Sequence, residues 1–184
     1  YVLEAPSSRH GVYVDISAFE LTEARALIEG EAAALAATMI SDEQLSELEQ
    51  ALHEMADESA DGKLYSELAD QKFHHIISQA THNKMLTTVI DDLWYVRDHS
   101  QPIHDAHQSI CETDWKALVL EHQEIFDALN KRDAVAARAA MHAHFARLLN
   151  KLIEANEAAQ VEEARKRATE SRERFSLGHL VSSG

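Results

Sequence analysis

Asp70 and His74 stand four residues apart in the stretch Leu68-Ala-Asp-Gln-Lys-Phe-His-His75. On a helix that spacing projects a carboxylate and an imidazole from neighbouring turns of one face, where together they can hold one metal ion. With Phe73 at the centre of the buried stripe, Tyr65, Ala69, Ile76, Ile77 and Ala80 fall within about 80° of it, and Asp70 and His74 lie at about 60° and 100° on one flank. That is the edge of a core, a place other helices can roof; His75 points away. His122 and His144 complete a candidate set, each among inward residue types on helices that should pack as neighbours. Three imidazoles and one carboxylate from three helices suit zinc, nickel or another late first-row metal and leave one or two positions for water or a ligand. The plain alternative is four hydrogen-bonded core residues with no ion.

The elements that must position these groups read as helices throughout. A first helix starts between Ser17 and Thr22 and runs to about Met39, with Leu21, Ala24, Leu27, Ile28, Ala32 and Leu35 as its stripe and Arg25 beside it. Ser41-Asp-Glu-Gln44 is a capping-box pattern that opens a helix over about 42–58. Ala60-Asp-Gly62 breaks the chain, and the Asp70/His74 helix follows over about 63–80. Met85, Leu86, Val89, Ile90, Leu93, Trp94 and Val96 make a fourth helix ending before Pro102. Residues 99–113 read as an irregular, solvated polar segment that carries His99, His104 and His107. A fifth helix covers about 114–130 with Leu118, Val119, His122, Ile125, Phe126 and Leu129 inward. Asp133 then caps a sixth, antiparallel helix with Met141, His144, Phe145, Leu148 and Leu152 on its apolar face.

Composition narrows the class. Only five Gly and two Pro among 184 residues, with 45% hydrophobic residues, fit an all-α fold. The expected architecture is an antiparallel bundle of six to seven helices around a central metal or ligand pocket. Residues 1–16 read as a linker or arm, 17–159 as the helical domain and 160–184 as a charged extension with little to bury. A formal charge of -15 argues against direct contact with nucleic acid or an anionic membrane. No apolar run approaches about 18 residues, and the lone Cys111 excludes an internal disulfide and fits a cytoplasmic protein. The chain starts at Tyr1, not methionine, and is expected to be a fragment.

The order and spacing of several motifs resemble the ligand-binding and dimerisation domain of the FadR-like branch of the GntR family of bacterial transcription regulators. They are Glu23-Ala-Arg25-Ala-Leu-Ile-Glu29, Asp70-Gln-Lys-Phe-His74 with Ala80-Thr-His-Asn83, Glu121-His-Gln-Glu-Ile125, and Asp133-Ala-Val-Ala-Ala-Arg138 leading to Met141-His-Ala-His144. The resemblance covers about residues 18–155. It implies that Asp70, His74, His122 and His144 ligate a divalent metal, zinc or nickel, which supports effector binding and not catalysis. It further implies that Arg25 pairs with an effector carboxylate, as a guanidinium's fixed fork allows; the alternative is a surface arginine bridged to Glu29. Arg97, just past Trp94-Tyr95, is a second candidate cation for the ligand, with a solvated charge at a helix end as its alternative.

Leu93-Trp-Tyr-Val-Arg-Asp-His-Ser100 and Phe19-Glu-Leu-Thr-Glu-Ala-Arg25 look most like the hexuronate-operon repressors of this branch. The implied effector is a small carboxylate or sugar acid such as a hexuronate, and the implied assembly is a homodimer. Operator DNA would be bound only through the family's N-terminal winged helix-turn-helix domain, which has no counterpart in these residues. The expectation is thus a sensor and no enzyme. A metal-dependent hydrolase of the helical His-Asp type is the rival, because His104-Asp105 spells such a pair and an open metal position can activate water. A di-iron bundle is disfavoured because no histidine has Glu three residues before it. A purely structural or interaction module would keep the four polar residues without an ion.

Overall fold

The computed structural model describes residues 16–60 and 67–175. The expected arm, the Ala60-Asp-Gly62 break, Tyr65 and the last residues of the extension fall largely or wholly outside them. Among the described residues there are six helices and no strand: α1 (Ala18–Met39), α2 (Asp42–Ala60), α3 (Glu67–Ala80), α4 (Lys84–His99), α5 (Gln101–Asn130) and α6 (Ala134–Arg174). The all-helical expectation holds, with α5 bent at Asp114 into two segments.

Local chemistry sets the helix starts. Ser17 and Glu20 form a reciprocal capping box at α1, and Ser41 and Gln44 do the same at α2, with Gln44 N donating to Ser41 Oγ at 3.2 Å and Ser41 N donating to Gln44 Oε1 at 3.1 Å. Asn83 and Asp133 cap α4 and α6 by accepting from two backbone amides each. Residues 99–113 correct the sequence reading, because they are helical from Gln101 onward. Helix α4 ends at His99, before Pro102 as expected, and Pro102 itself sits in the first turn of α5, where a missing N–H costs nothing. Ile103, His107, Ile110 and Cys111 of that segment are buried, so His107 is no loop residue.

The central helix is α1, which packs against α3, α4, α5 and α6. Ala32, Ala33, Ala36 and Ala37 are completely buried, and these small side chains let neighbouring backbones come close. Gly30 takes this furthest: a Cβ there would stand 2.2 Å from Nε2 of His142 on α6. Enclosure on several sides explains a second correction. Leu27 and Leu35, expected in the stripe, are exposed, at 64% and 38%. They line the one outward face of α1 with Met39, while Thr22, Arg25 and Glu29 are buried on the inward side.

The core joins α1, α2, α3, α5 and α6 through residues such as Leu48, Met55, Phe73, Ile77, Ile125, Leu129, Met141 and Phe145. On α3 the stripe centred on Phe73 is as expected. On α6 the apolar face ends at Leu152, and every described residue from Ile153 to Phe175 is exposed although helical through Arg174. No helix among the described residues is long and apolar enough to cross a membrane.

Candidate metal and effector site

Three helices bring the imidazoles together. His74 from α3, His122 from α5 and His144 from α6 are buried, and each offers one ligand atom within 4.8 Å of the others. Each ring turns its Nδ1 outward to a partner that can only accept a hydrogen. His122 Nδ1 donates to the Leu118 carbonyl at 2.7 Å, His74 Nδ1 to Glu29 Oε2 at 2.5 Å, and His144 Nδ1 to Glu121 Oε2 at 3.0 Å. These partners place the Nδ1 proton on all three rings and leave the Nε2 lone pairs for the middle of the cluster. Paired second-ring nitrogens of this sort are the usual support of metal-ligating histidines.

Asp70 completes the group from one side. Its Oδ1 stands 3.0 Å from His122 Nε2 and 3.4 Å from His74 Nε2, and its Oδ2 accepts from Arg97 Nη1 at 3.2 Å. His74 Nε2 itself is buried and has no hydrogen-bond partner. A lone pair facing a carboxylate at 3.0 Å needs positive charge between the two, supplied by a proton or a cation. The donor set therefore fits a late first-row divalent ion: three imidazole nitrogens, of which His74 Nε2 is the orphaned one, and one carboxylate oxygen.

The charges around the cluster agree. Burial alone would raise the Asp70 carboxyl, but the adjacent His122 and His74 rings outweigh it and hold Asp70 well below the usual carboxylate range. Burial likewise opposes ionisation of Glu29, and the adjacent Arg25 and then His74 overcome it, bringing its carboxyl down to about 2. His74 is pushed down by burial and, more strongly, up by Glu29 and Asp70, for a net rise. His144 falls well below the usual histidine value, through burial first and then the neighbouring His122 and His74. Two anions beside one ring call for a cation, and the third ring stays neutral as a ligand must.

Beside the imidazoles lie two buried guanidiniums. Arg25 Nε donates to Glu29 Oε1 at 2.7 Å, and its guanidinium stands over the Trp94 ring at 4.1 Å and the Phe145 ring at 4.9 Å. The bridge to Glu29 that the sequence offered as an alternative is present, but it is interior and not on the surface. Arg97 is also buried, within 3.1 Å of Glu67 and 4.4 Å of the Trp94 ring, so the solvated helix-end reading is corrected. The His104-Asp105 pair takes no part: His104 Nε2 approaches Glu67 at 3.2 Å, and Asp105 is exposed.

Sequence reasoning missed four contributors. Glu29 and Glu121 orient His74 and His144, and Trp94 presents a buried indole N–H with no partner. His107 is the fourth: burial, seconded by the charges of Arg25 and Arg97, brings it down to about 4 against the opposing effect of its bond to Ile103. The usable signal lay in α1, where Thr22, Arg25 and Glu29 recur at three and four residues on one face.

The fold is an all-helical bundle with a buried polar centre. Residues 20–147 match the FCD domain, and the chain belongs to that family. It is 33% identical over 161 residues to the Uxu operon regulator of Haemophilus influenzae, across 84% of this chain and 59% of that protein. It is also 33% identical over 165 residues to the Uxu operon transcriptional regulator of Escherichia coli, across 84% and 63%. The galactonate operon transcriptional repressor of E. coli is 28% identical over 127 residues, across 65% and 51%. The chain thus spans about three-fifths of the length of the first two relatives. Among solved structures, Streptococcus agalactiae GntR superposes with a TM-score of 0.59 at 26% identity over 72% of this chain and 58% of that one. The E. coli protein McbR/YncC, at 19% identity, gives 0.65 over 74% and 64% and shows the shared fold. These relatives are named as transcriptional regulators, and the domain is regulatory, not enzymatic.

Proposed function

We propose that the chain is the effector-sensing and dimerisation domain of a GntR-family regulator, binding a small carboxylate or sugar acid at a metal centre. The hexuronate class is favoured because the Uxu-named regulators are similar over most of this chain. The observation that carries the reading is the set of three Nε2 lone pairs aimed inward, each fixed by an Nδ1 partner, beside two buried guanidiniums. Asp70, His74, His122 and His144 would hold the ion, zinc or nickel. When bound, it would supply a Lewis-acidic centre for an effector oxygen.

The chain's own residues do the rest. Glu29, the Leu118 carbonyl and Glu121 lock ring orientation, and Asp70 is steadied by Arg97. Arg25 and Arg97 offer forks for the effector carboxylate, which would compete with Glu29 and Asp70 for them. Because α1 carries Arg25 and touches α3, α4, α5 and α6, such an exchange of partners biases the packing of the whole bundle. In the whole protein, a cytoplasmic homodimer, that bias would reposition winged-helix domains on operator DNA. The exposed apolar row Leu27, Leu35 and Met39 supports a self-associating face.

Elemental analysis tests the reading, with the His122→Ala/His144→Ala double variant alongside. About one equivalent of zinc or nickel in the parent, lost in the variant, is expected. With free metal at about 100 times its Kd, the parent also gains about 2.7 kcal/mol of stability that the variant lacks. No metal in the parent after incubation with either ion would sink the metal centre.

A further inference from the structure

Thr22 on α1 and His107 on α5 are almost fully buried, at 1% and 3% exposure, and Thr22 Oγ1 faces His107 Nε2 at 3.5 Å. Each side chain has already placed its one proton elsewhere. Thr22 Oγ1 donates to the Ala18 carbonyl at 2.7 Å, and His107 Nδ1 donates to the Ile103 carbonyl at 2.9 Å. A carbonyl can only accept, which fixes the His107 proton on Nδ1, and the Thr22 hydroxyl gives its one proton to the nearer acceptor, Ala18 O at 2.7 Å against His107 Nε2 at 3.5 Å. Two lone pairs are left facing each other, and neither satisfies the other. A buried acceptor without a donor is costly. Acceptors 3.5 Å apart can share a single O–H or N–H whose heavy atom lies about 2.9 Å from both.

The position of this acceptor pair gives it meaning. Thr22 lies three residues before Arg25, on the same face of α1. His107 feels the charges of Arg25, Arg97 and Asp70. Trp94, in contact with both guanidiniums, adds a buried N–H with no partner. One corner of the bundle therefore holds two cations, an unused donor and an unused acceptor pair.

We infer that Thr22 and His107 determine effector specificity by accepting a hydrogen bond from a hydroxyl group of a hydroxylated carboxylate, whose carboxylate group is held by Arg25 and Arg97. The inference rests on the effector-site reading above and adds the chemistry the ligand must carry: a hydroxyl a few atoms from the carboxylate. A carboxylate without hydroxyls can meet the guanidiniums but leaves the acceptor pair unsatisfied, a penalty that polar sites use for discrimination.

The test is calorimetric titration of the zinc-loaded chain with D-glucuronate and with hexanoate, a six-carbon carboxylate that has no hydroxyls. The parent should prefer glucuronate. Thr22→Val, which keeps the shape and removes the hydroxyl, should weaken glucuronate about ten-fold or more and leave hexanoate unchanged. Thr22→Ser should restore glucuronate binding, and His107→Phe should resemble Thr22→Val. If His107→Phe fails to fold, the Thr22 pair of variants decides. Glucuronate binding that is unchanged in Thr22→Val would overturn the inference and leave the effector site standing. Equal affinity of the parent for the two probes would overturn it as well. Binding of neither probe by the zinc-loaded parent would remove the effector-site reading, and the inference with it.

Discussion

The inner half of α6 and its outer half belong to one helix and are held in unrelated ways. From Ala134 to Leu152 it carries Ala137, Met141, His144, Phe145 and Leu148 into the core. From Ile153 onward nothing is buried, and the visible support is local, as in Arg167 Nε donating to Glu163 Oε1 at 2.9 Å one turn away. Polar groups in the inner half answer to partners on other helices: His144 to Glu121 on α5, and Arg147 to Glu121 and Asp114. Charges in the outer half answer mainly to neighbours on α6 and to water. Removing a charge should therefore matter in proportion to how far its partner lies along the chain and how dry the site is.

The sharpest way to break this contrast is at Glu29, which ties α1 to α3 through His74. Glu29→Ala strips a buried ring and a buried guanidinium of their common anion, and should cost about 3–5 kcal/mol in urea unfolding of the metal-free chain. The pH dependence carries its own sign. A carboxyl lowered to about 2 in the folded state stabilises fully above the ordinary Glu value, and the contribution is lost as pH falls toward about 2. Glu29→Gln should remove that share of the acid destabilisation, which a comparison of unfolding midpoints at pH 6 and pH 3 would detect. A steep acid loss equal to that of the parent would place the titrating group elsewhere.

Gly30→Ala probes packing at the same level of the bundle with a smaller effect. The new methyl meets the His142 ring, so the variant should lose about 1–3 kcal/mol despite the better helix propensity of Ala. In a His142→Ala background the sign should reverse, because the obstacle is gone and the propensity gain remains. The smallest effect belongs to the outer half of α6. Arg167→Ala should leave the unfolding midpoint unchanged within error and lower helical circular dichroism only slightly. A large loss there would mean that this segment is held by something beyond its own turns.

The same contrast sorts what the sequence could and could not reveal. Asp70, His74, His122 and His144 were legible because each lies on or beside a regular apolar period, on α3, α5 or α6. Asp133 and Ser41 were legible because capping is local chemistry. Residues 101–113 were misread for two physical reasons. Proline stops a helix that precedes it yet suits the first turn of the next one, and counting His107 as polar hid the inward row of Ile103, His107, Ile110 and Cys111. Leu27 and Leu35 were misplaced because α1 is enclosed on several sides and its alanines, not its leucines, make the closest contacts. Glu29 looked like a surface partner for Arg25; only the arrival of α3 in space turns that bridge into an interior one.

The uninterrupted length of α6 makes it a ruler. From His144 to Arg174 it runs without a break, about 45 Å at 1.5 Å per residue, so a small tilt at the imidazole end becomes a displacement of several ångströms at the tip. The chain's only thiol, on Cys111, is buried, and burial pushes it up to about 12, which makes it a poor nucleophile at neutral pH. A cysteine introduced at Glu173 would then take a fluorophore selectively. Its position relative to a dye elsewhere in the bundle would turn changes around the imidazoles into an optical signal.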